Sequence, residues 1–207
     1  MTGLPLTRNR VSVEHETDIR NAVRAATGIP FDRAPSRVAE LSDAPALFTF
    51  LSDPGIHQPI YNLPKPLTLD SVAQFITNKQ AEQDRGEGVL LLRFDPQGEV
   101  LGYSEVDVWP EWGAGELGGA LRADIQGQRA GIEGAARSFT WMFETLHLAL
   151  ICETAALDNI RTAKLLDHLG LERKGEIEST RPDGSKRASR VWEITRADWF
   201  ERQGLDR

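Results

Sequence analysis

QGQRAGIEGAARSFTWMFETL, Gln126 to Leu146, and LDNIRTAKLLDHLGLERKG, Leu157 to Gly175, form the stretch from which the rest of the chain can be read. The first opens on small residues around Gly127 and Gly131. It then places Ile132, Ala135, Ala136, Phe139, Met142, Phe143 and Leu146 at three- and four-residue spacing. That spacing predicts an amphipathic helix entered through a glycine-rich turn. A helix N-terminus presents unpaired N–H groups and the positive end of the dipole, so such a turn can hold a phosphate. It can equally be a plain helix start with a glycine for tight packing. Between the two segments LALICETAA, Leu148 to Ala156, reads as a buried strand. Asp158 or Asn159 can then cap a helix with Thr162, Leu165, Leu166 and Leu169 on its inner face, closed by Gly170 as a left-handed C-cap.

The predicted order is strand, phosphate-type turn, helix, strand, capped helix, strand, and here the sequence resembles the GNAT superfamily of N-acetyltransferases. Gln126, Arg129 and Gly131 occupy the defining positions of that family's pyrophosphate signature, Q/R-x-x-G-x-G/A, with Arg129 standing where the family usually has glycine. Asn159, Thr162 and Leu169-Gly170-Leu171 match the N-x-x-S/T start and L-G-F end of the helix that follows. GELGGAL, Gly115 to Leu121, and ITRADW, Ile194 to Trp199, resemble the strand before the signature and the ending found in the ribosomal-protein N-terminal acetyltransferase (Rim) branch. That branch's usual aspartate near Ala188 and tyrosine near Trp192 are absent. The resemblance spans roughly Ser36 to Phe200. It implies an α/β (α+β) fold: a central mixed, mostly antiparallel twisted sheet flanked by helices and splayed between the fourth and fifth strands. Residues 1–35 are then an N-terminal extension with a short helix, and residues 36–207 the acetyltransferase domain.

What the resemblance implies for chemistry is direct acetyl transfer from acetyl-CoA, the co-substrate, to a primary amine. It assigns cofactor binding to Leu121, Gln126, Gly127, Gln128, Arg129, Ala130, Gly131, Ile132, Asn159, Thr162 and Lys164. A base must take the amine's proton, a fixed N–H must face the developing oxyanion, and an acid helps the thiolate leave. Glu116 is the first candidate for base, with Glu105 and Asp107 as rivals, although each can instead simply attract a cationic acceptor. The N–H of Gly119, or of a neighbour at the bulge that Gly118-Gly119 suggests, is the oxyanion donor. Thr162 is the candidate acid; its other reading is a core hydroxyl. Asn159 either binds pantetheine or only caps its helix. His57 and Tyr61, in the breaker-rich segment SDPGIHQPIYNLPKPLT, line the acceptor cleft or pack a surface loop. Trp109 and Trp112 line an amine pocket or pack the sheet edge.

Composition sets the outer bounds. At 207 residues with 40% apolar and 27% charged residues, the chain is of single-domain size and ordinary globular composition. No apolar run approaches a membrane span, MTGLPLTRNRVSVEHE lacks a signal peptide's apolar core, and a cytoplasmic address follows as the expectation. The single Cys152 reads as a buried thiol, and the four histidines lack ligand spacing, so no metal site is expected. A net charge of −7 argues against a nucleic-acid partner. The acids concentrate between Ala81 and Gln126, whereas Arg161, Lys164, Arg173 and Lys174 surround the capped helix, an arrangement suited to a cationic acceptor and an anionic cofactor. Two further readings stay open: a small-amine acetyltransferase acting on a polyamine or aminoglycoside, and a CoA-binding module that Arg129 has cost its turnover. A homodimer is open by analogy with the branch.

Along the rest of the chain, Val13 to Ala26 predicts a short helix, SRVAEL a first strand, and Ser42 with Asp43 a helix start. Thr68 caps a helix through Val72, Phe75 and Ile76. GVLLLRFDPQGEVLGYSEVDVW reads as a hairpin turning at Asp95 to Gly98, and LERKGEIES and SRVWEI as strands joined by a turn at Pro182-Asp183-Gly184.

Overall fold

Residues 3–32, 34–58, 60, 62–125, 130–180 and 184–204 are described by the computed structural model. Its sheet has seven strands in the order β1-β2-β3-β4-β5-β7-β6, with β1 Ser36–Val38, β2 Gly88–Phe94, β3 Val100–Trp109, β4 Ala114–Leu121, β5 Leu150–Ala156, β6 Glu172–Thr180 and β7 Lys186–Thr195. Every pairing is antiparallel except β4 with β5. The β2–β3 hairpin turns where the sequence predicts: Asp95 Oδ1 accepts the N–H groups of Gln97 and Glu99, and Gly98 supplies φ +83°.

Side-chain alternation sends the two faces of the sheet into separate layers. On one face α1 (Val13–Ala25), α5 (Ala130–Glu144), α6 (Ile160–Leu169) and α7 (Arg196–Arg202) bury Ile19, Val23, Phe139, Met142, Phe143, Leu166 and Trp199 against Val89, Val106, Ile151 and Trp192. On the other, α2 (Ala44–Leu51), α3 (Pro54–His57) and α4 (Leu69–Arg85) bury Leu47, Phe50, Ile56, Val72, Phe75 and Ile76 against Leu90, Leu92 and Tyr103. Caps fix the helix ends: Thr68 and Ser71 bond reciprocally at the start of α4, Asn159 Oδ1 accepts Thr162 N–H at the start of α6, and Gly170 ends α6 at φ +84°. No helix among the described residues is long and apolar enough to cross a membrane.

The sheet divides at its middle. β4 and β5 pair in parallel only at Ala114↔Leu150 and Gly115↔Ile151. Beyond that point β4 stays with β3 as far as Leu121↔Gly102, and β5 stays with β7 as far as Ala156↔Ser189. A wedge-shaped gap therefore opens between them, as the resemblance implied.

Three local features differ from the sequence reading. The Asp43 carboxylate does not cap α2; it makes two 2.7 Å bonds to Arg37 and accepts the Glu40 N–H, so a 3-10 turn over Leu41–Asp43 precedes the helix. The Gly118-Gly119 pair makes no bulge, because the β3–β4 register runs unbroken. Close backbone approach is what the glycine serves there: a Cβ on Gly119, at φ +149°, would lie 2.3 Å from the Tyr103 carbonyl oxygen. Finally, Thr195 caps an unforeseen helix, α7. The expectations on Gln126–Arg129, Tyr61 and the Pro182-Asp183 turn lie outside the described residues.

Helix α7 locks onto α5 through Trp199, which is fully buried, stacks edge-on to Phe139 with ring centroids 5.6 Å apart, and donates its indole N–H to Thr140 Oγ1 at 3.1 Å. Trp199→Ala is expected to lower the unfolding free energy by about 3–5 kcal/mol in urea denaturation, and Trp199→Phe by less, since most of the ring's burial survives.

Candidate active site

A cleft of about 180 Å³ occupies the gap between β4 and β5, with walls from β3, the start of α6, Arg187 on β7, and Ile60 and Asn62 ahead of α4. The register explains its chemistry. Asp107 on β3 lies opposite Glu116 on β4, and Glu105 lies opposite Gly118, so three carboxylates share one face of adjoining strands. Like charges so placed repel. Lys79 on α4 relieves part of this: its Nζ lies 2.6 Å from Glu105, 2.7 Å from Asp107 and 2.8 Å from Glu82. Asn62 donates to the other oxygen of Glu105 at 2.8 Å. Burial alone would depress the Lys79 pKa, but the Glu105 and Asp107 charges outweigh it and raise the pKa, so the ammonium stays charged.

The carboxylates are thereby partnered unequally. Glu105 is 3% exposed, and burial together with the charge of Asp107 pushes its pKa up to about 7 against the opposing pull of Lys79. Glu116 has no cation partner among the described residues. Burial pushes it up to about 7; Thr154, whose hydroxyl donates at 2.6 Å, opposes this, and the charges of Asp107 and Glu105 add to it. Because Glu116 is only half-buried at the cleft floor, water softens that shift. It is the carboxyl group best placed to accept a proton near neutral pH.

Glu153 on β5 reaches into the same gap from the opposite strand. Its Oε1 accepts the N–H of Leu117 at 2.8 Å, and burial, with the charge of Glu116 adding, holds its pKa well above the usual carboxylate range. Leu117 N–H therefore points toward β5. Strand alternation turns the N–H of Gly119 the same way, into the open part of the gap. Thr162 and Asn159 complete the wall, half-buried.

Glu105, Asp107, Glu116, Gly119, Asn159 and Thr162 are thus brought together. His57 is not among the lining residues and its Nδ1 bonds the Leu51 carbonyl at 3.0 Å. Trp109 packs on Leu4, Cys152 and Val191, and Trp112 lies under the Arg10 guanidinium at 5.3 Å, so both tryptophans meet the N-terminal segment and neither lines the cleft. Leu121 ends β4, Lys164 is exposed on α6, and Ala130, Gly131 and Ile132 begin α5, with Gly131 beside Leu165. Gln126, Gly127, Gln128, Arg129 and Tyr61 lie outside the described residues. Sequence reasoning missed Lys79, Asn62, Thr154 and Glu153. Two signals were present: Lys79 continues the inward series Val72, Phe75, Ile76, and Glu153 interrupts an apolar run.

A larger hollow, about 600 Å³, lies by β7 and α7 and is lined by Thr7, Lys174, Glu193 and Arg202 among others. Its buried acid is already satisfied, Glu193 accepting from the N–H groups of Leu6 and Thr7 and from the Thr7 hydroxyl. The smaller cleft has the reactive groups.

The Acetyltransferase (GNAT) domain profile matches residues 37–172. Among curated proteins none matches. Among solved structures the fold is similar to a ribosomal-protein-S5-alanine acetyltransferase from Vibrio fischeri, with TM-score 0.69 and 18% identity over 84% of this chain and 99% of that one. It is also similar to RimL, a ribosomal L7/L12 alpha-N-protein acetyltransferase solved with coenzyme A, with TM-score 0.70 and 18% identity over 81% and 97%. A third, Mycobacterium smegmatis RimJ with CoA-disulfide, gives TM-score 0.68 and 16% identity over 83% and 90%.

The raised pKa of Glu116 has a consequence for stability. A carboxyl whose folded pKa lies above its unfolded value binds more protons when folded, so its contribution is fully present below about pH 4.5 and is lost as pH rises through about 7. Glu116→Gln should flatten this part of the profile, raising stability by about 1–2 kcal/mol at pH 8 while changing little at pH 4. Denaturant melts at the two pH values measure it; equal effects at both would show an unshifted carboxyl.

Proposed function

The chain belongs to the GNAT acetyltransferase family, and from that premise we propose that it transfers acetyl directly from acetyl-CoA to a primary amine, with a protein or peptide N-terminus as acceptor. The observation that carries the reading is Glu116: a carboxyl raised toward neutrality, free of any cation among the described residues, lining the gap between β4 and β5. A structural ion-pair site would pair that charge.

The cleft fits an acyl-CoA in a way its residues make specific. The gap exposes strand-edge N–H groups at Leu117 and Gly119, and Gly118-Gly119 removes the side chains that would block a close approach. These donors and Asn159 would hold the pantetheine arm. The start of α5 at Gly131 and Ile132, with Gln126–Arg129 before it, would receive the phosphates at a helix N-terminus, where the Arg129 guanidinium can add a charge-assisted bond. Acetyl-CoA supplies the acyl group already activated as a thioester.

Glu116 accepts the proton that the attacking amine must lose, and a pKa near 7 matches that task at neutral pH. Lys79 holds Glu105 and Asp107 in place, and with Glu82 the cluster keeps a net negative charge that draws a cationic amine inward. The N–H of Leu117 faces the carbonyl oxygen as negative charge develops, with that of Gly119 the next donor along the same edge. Thr162 gives its hydroxyl proton to the departing sulfur. The similarity to enzymes named for ribosomal-protein alanine and L7/L12 alpha-N substrates supports an N-terminal amine as acceptor.

Acetyl-CoA should raise the melting temperature, because a ligand of the folded state stabilises it in proportion to RT ln(1 + [L]/Kd); no shift at millimolar ligand would end this reading. Thiol release over peptides differing in their first residue, with polyamines and aminoglycosides alongside, identifies the acceptor. In that assay Glu116→Gln should lower kcat by roughly 10²–10⁴ with acetyl-CoA affinity near wild type, and Thr162→Val should lower kcat less. A Glu116→Gln enzyme with raised KM for the amine and intact kcat would make Glu116 an attractor of cations and not a base.

A further inference from the structure

The proposed chemistry leaves one buried ionisable group at the cleft without a task. Glu153 is 6% exposed, pairs with no cation among the described residues, and faces the acid Glu116. A buried carboxyl without a cation is costly, and an apolar side chain in this strand would avoid the cost.

Its position in the ladder is specific. The last rung between β4 and β5 joins Gly115 to Ile151, so Leu117 and Glu153 each lie two residues beyond it, where the strands have parted. Leu117 N–H is thus the first donor on β4's open edge that no neighbouring strand serves. Glu153 Oε1 serves it instead, at 2.8 Å. The adjacent brace runs in the opposite sense, from the Thr154 hydroxyl on β5 to Glu116 on β4 at 2.6 Å. Two carboxyl groups, one from each strand, therefore stitch the gap closed at the depth where an acyl group must enter.

We propose that Glu153 is a built-in competitor of the acyl donor: its carboxyl holds the Leu117 N–H until the thioester carbonyl of acetyl-CoA takes that donor from it. The proposal rests on the acetyl-CoA reading of the cleft. Two consequences follow from the exchange. The free protein never leaves a buried strand-edge N–H unsatisfied, and acetyl-CoA gains only the difference between two hydrogen bonds at this donor, which moderates its affinity. CoA has no thioester carbonyl, so after transfer Glu153 retakes the N–H and the product is held less firmly than the donor.

Calorimetric titration of acetyl-CoA and of CoA into wild type, Glu153→Leu and Glu153→Gln separates the possibilities. Glu153→Leu removes the competing acceptor and should bind acetyl-CoA about three- to tenfold more tightly, the range expected when a hydrogen bond to a buried carboxyl no longer has to be displaced. Its CoA affinity should move by less than about twofold. Glu153→Gln, which keeps an acceptor of the same size, should stay near wild type; should Glu153→Leu fail to fold, as a thermal melt reports, Glu153→Ala takes its place. Unchanged or weaker acetyl-CoA binding in a folded Leu or Ala variant overturns the proposal, and so does equal tightening for acetyl-CoA and CoA, which would separate Glu153 from the thioester carbonyl. Wild type that binds neither ligand refutes the acetyl-CoA reading itself, a result distinguishable from binding that Glu153 does not influence.

Discussion

A parallel pair of strands that stops after two rungs leaves backbone donors and acceptors without a ladder, and the protein is built around that interruption. β4 and β5 are each secured on their far sides, by β3 and by β7, so the gap cannot close by sliding one strand over. At its root the strands are tied together by the Gly113 carbonyl, which accepts the N–H groups of both Ala149 and Leu150. Backbone groups buried without partners are expensive, so a side chain must serve the open edge. Glu153 does this for the Leu117 N–H, and the Thr154 hydroxyl braces the Glu116 side chain across the same gap. The open strand edge and a source of instability are the same feature.

Electrostatics in the cleft follows a similar logic. The antiparallel register of β3 and β4 forces Asp107 against Glu116, and a single lysine from α4 offsets part of the repulsion. Had Lys79 been placed to reach Glu116, its charge would have opposed the rise in that carboxyl's pKa as it does at Glu105. It ties up Glu105 and Asp107 instead and leaves Glu116 to be raised by burial. The arrangement costs stability at neutral and alkaline pH, where the buried Glu116 carboxyl must ionise.

Rigidity around the gap comes from the layers. α5 is clamped through Phe139 and Phe143 to Trp199 of α7, while α1 contributes Ile19 and Val23 to the same cluster. The opposite layer, α2 to α4, carries Lys79 on the buried side of α4, so the charge that organises the acids is anchored by Val72, Phe75 and Ile76 packing one to two turns earlier.

Much of this was legible in the chain alone, because it is local. The period of Ile132 to Leu146, the capping chemistry of Thr68 and Asn159, Gly170 after an apolar stripe, and the Asp95 to Gly98 turn each specify an element through neighbours a few residues away. The motif order around them was enough to indicate the fold, the splay and the family. Glu116, Asn159 and Thr162 could be named because they stand at motif positions. What the sequence could not determine were relations between strands and helices far apart in the chain: that Asp43 would go to Arg37 instead of capping α2, that Trp109 and Trp112 would face the N-terminal segment, and that Lys79 would meet Glu105 and Asp107. Glu153 illustrates the reason. In the sequence it is one acid in an apolar strand, and only the register of β5 against β4 and the early end of their ladder bring its carboxyl to the Leu117 N–H, because hydrogen-bond partners across a sheet are set by tertiary packing and carry no signature in local spacing.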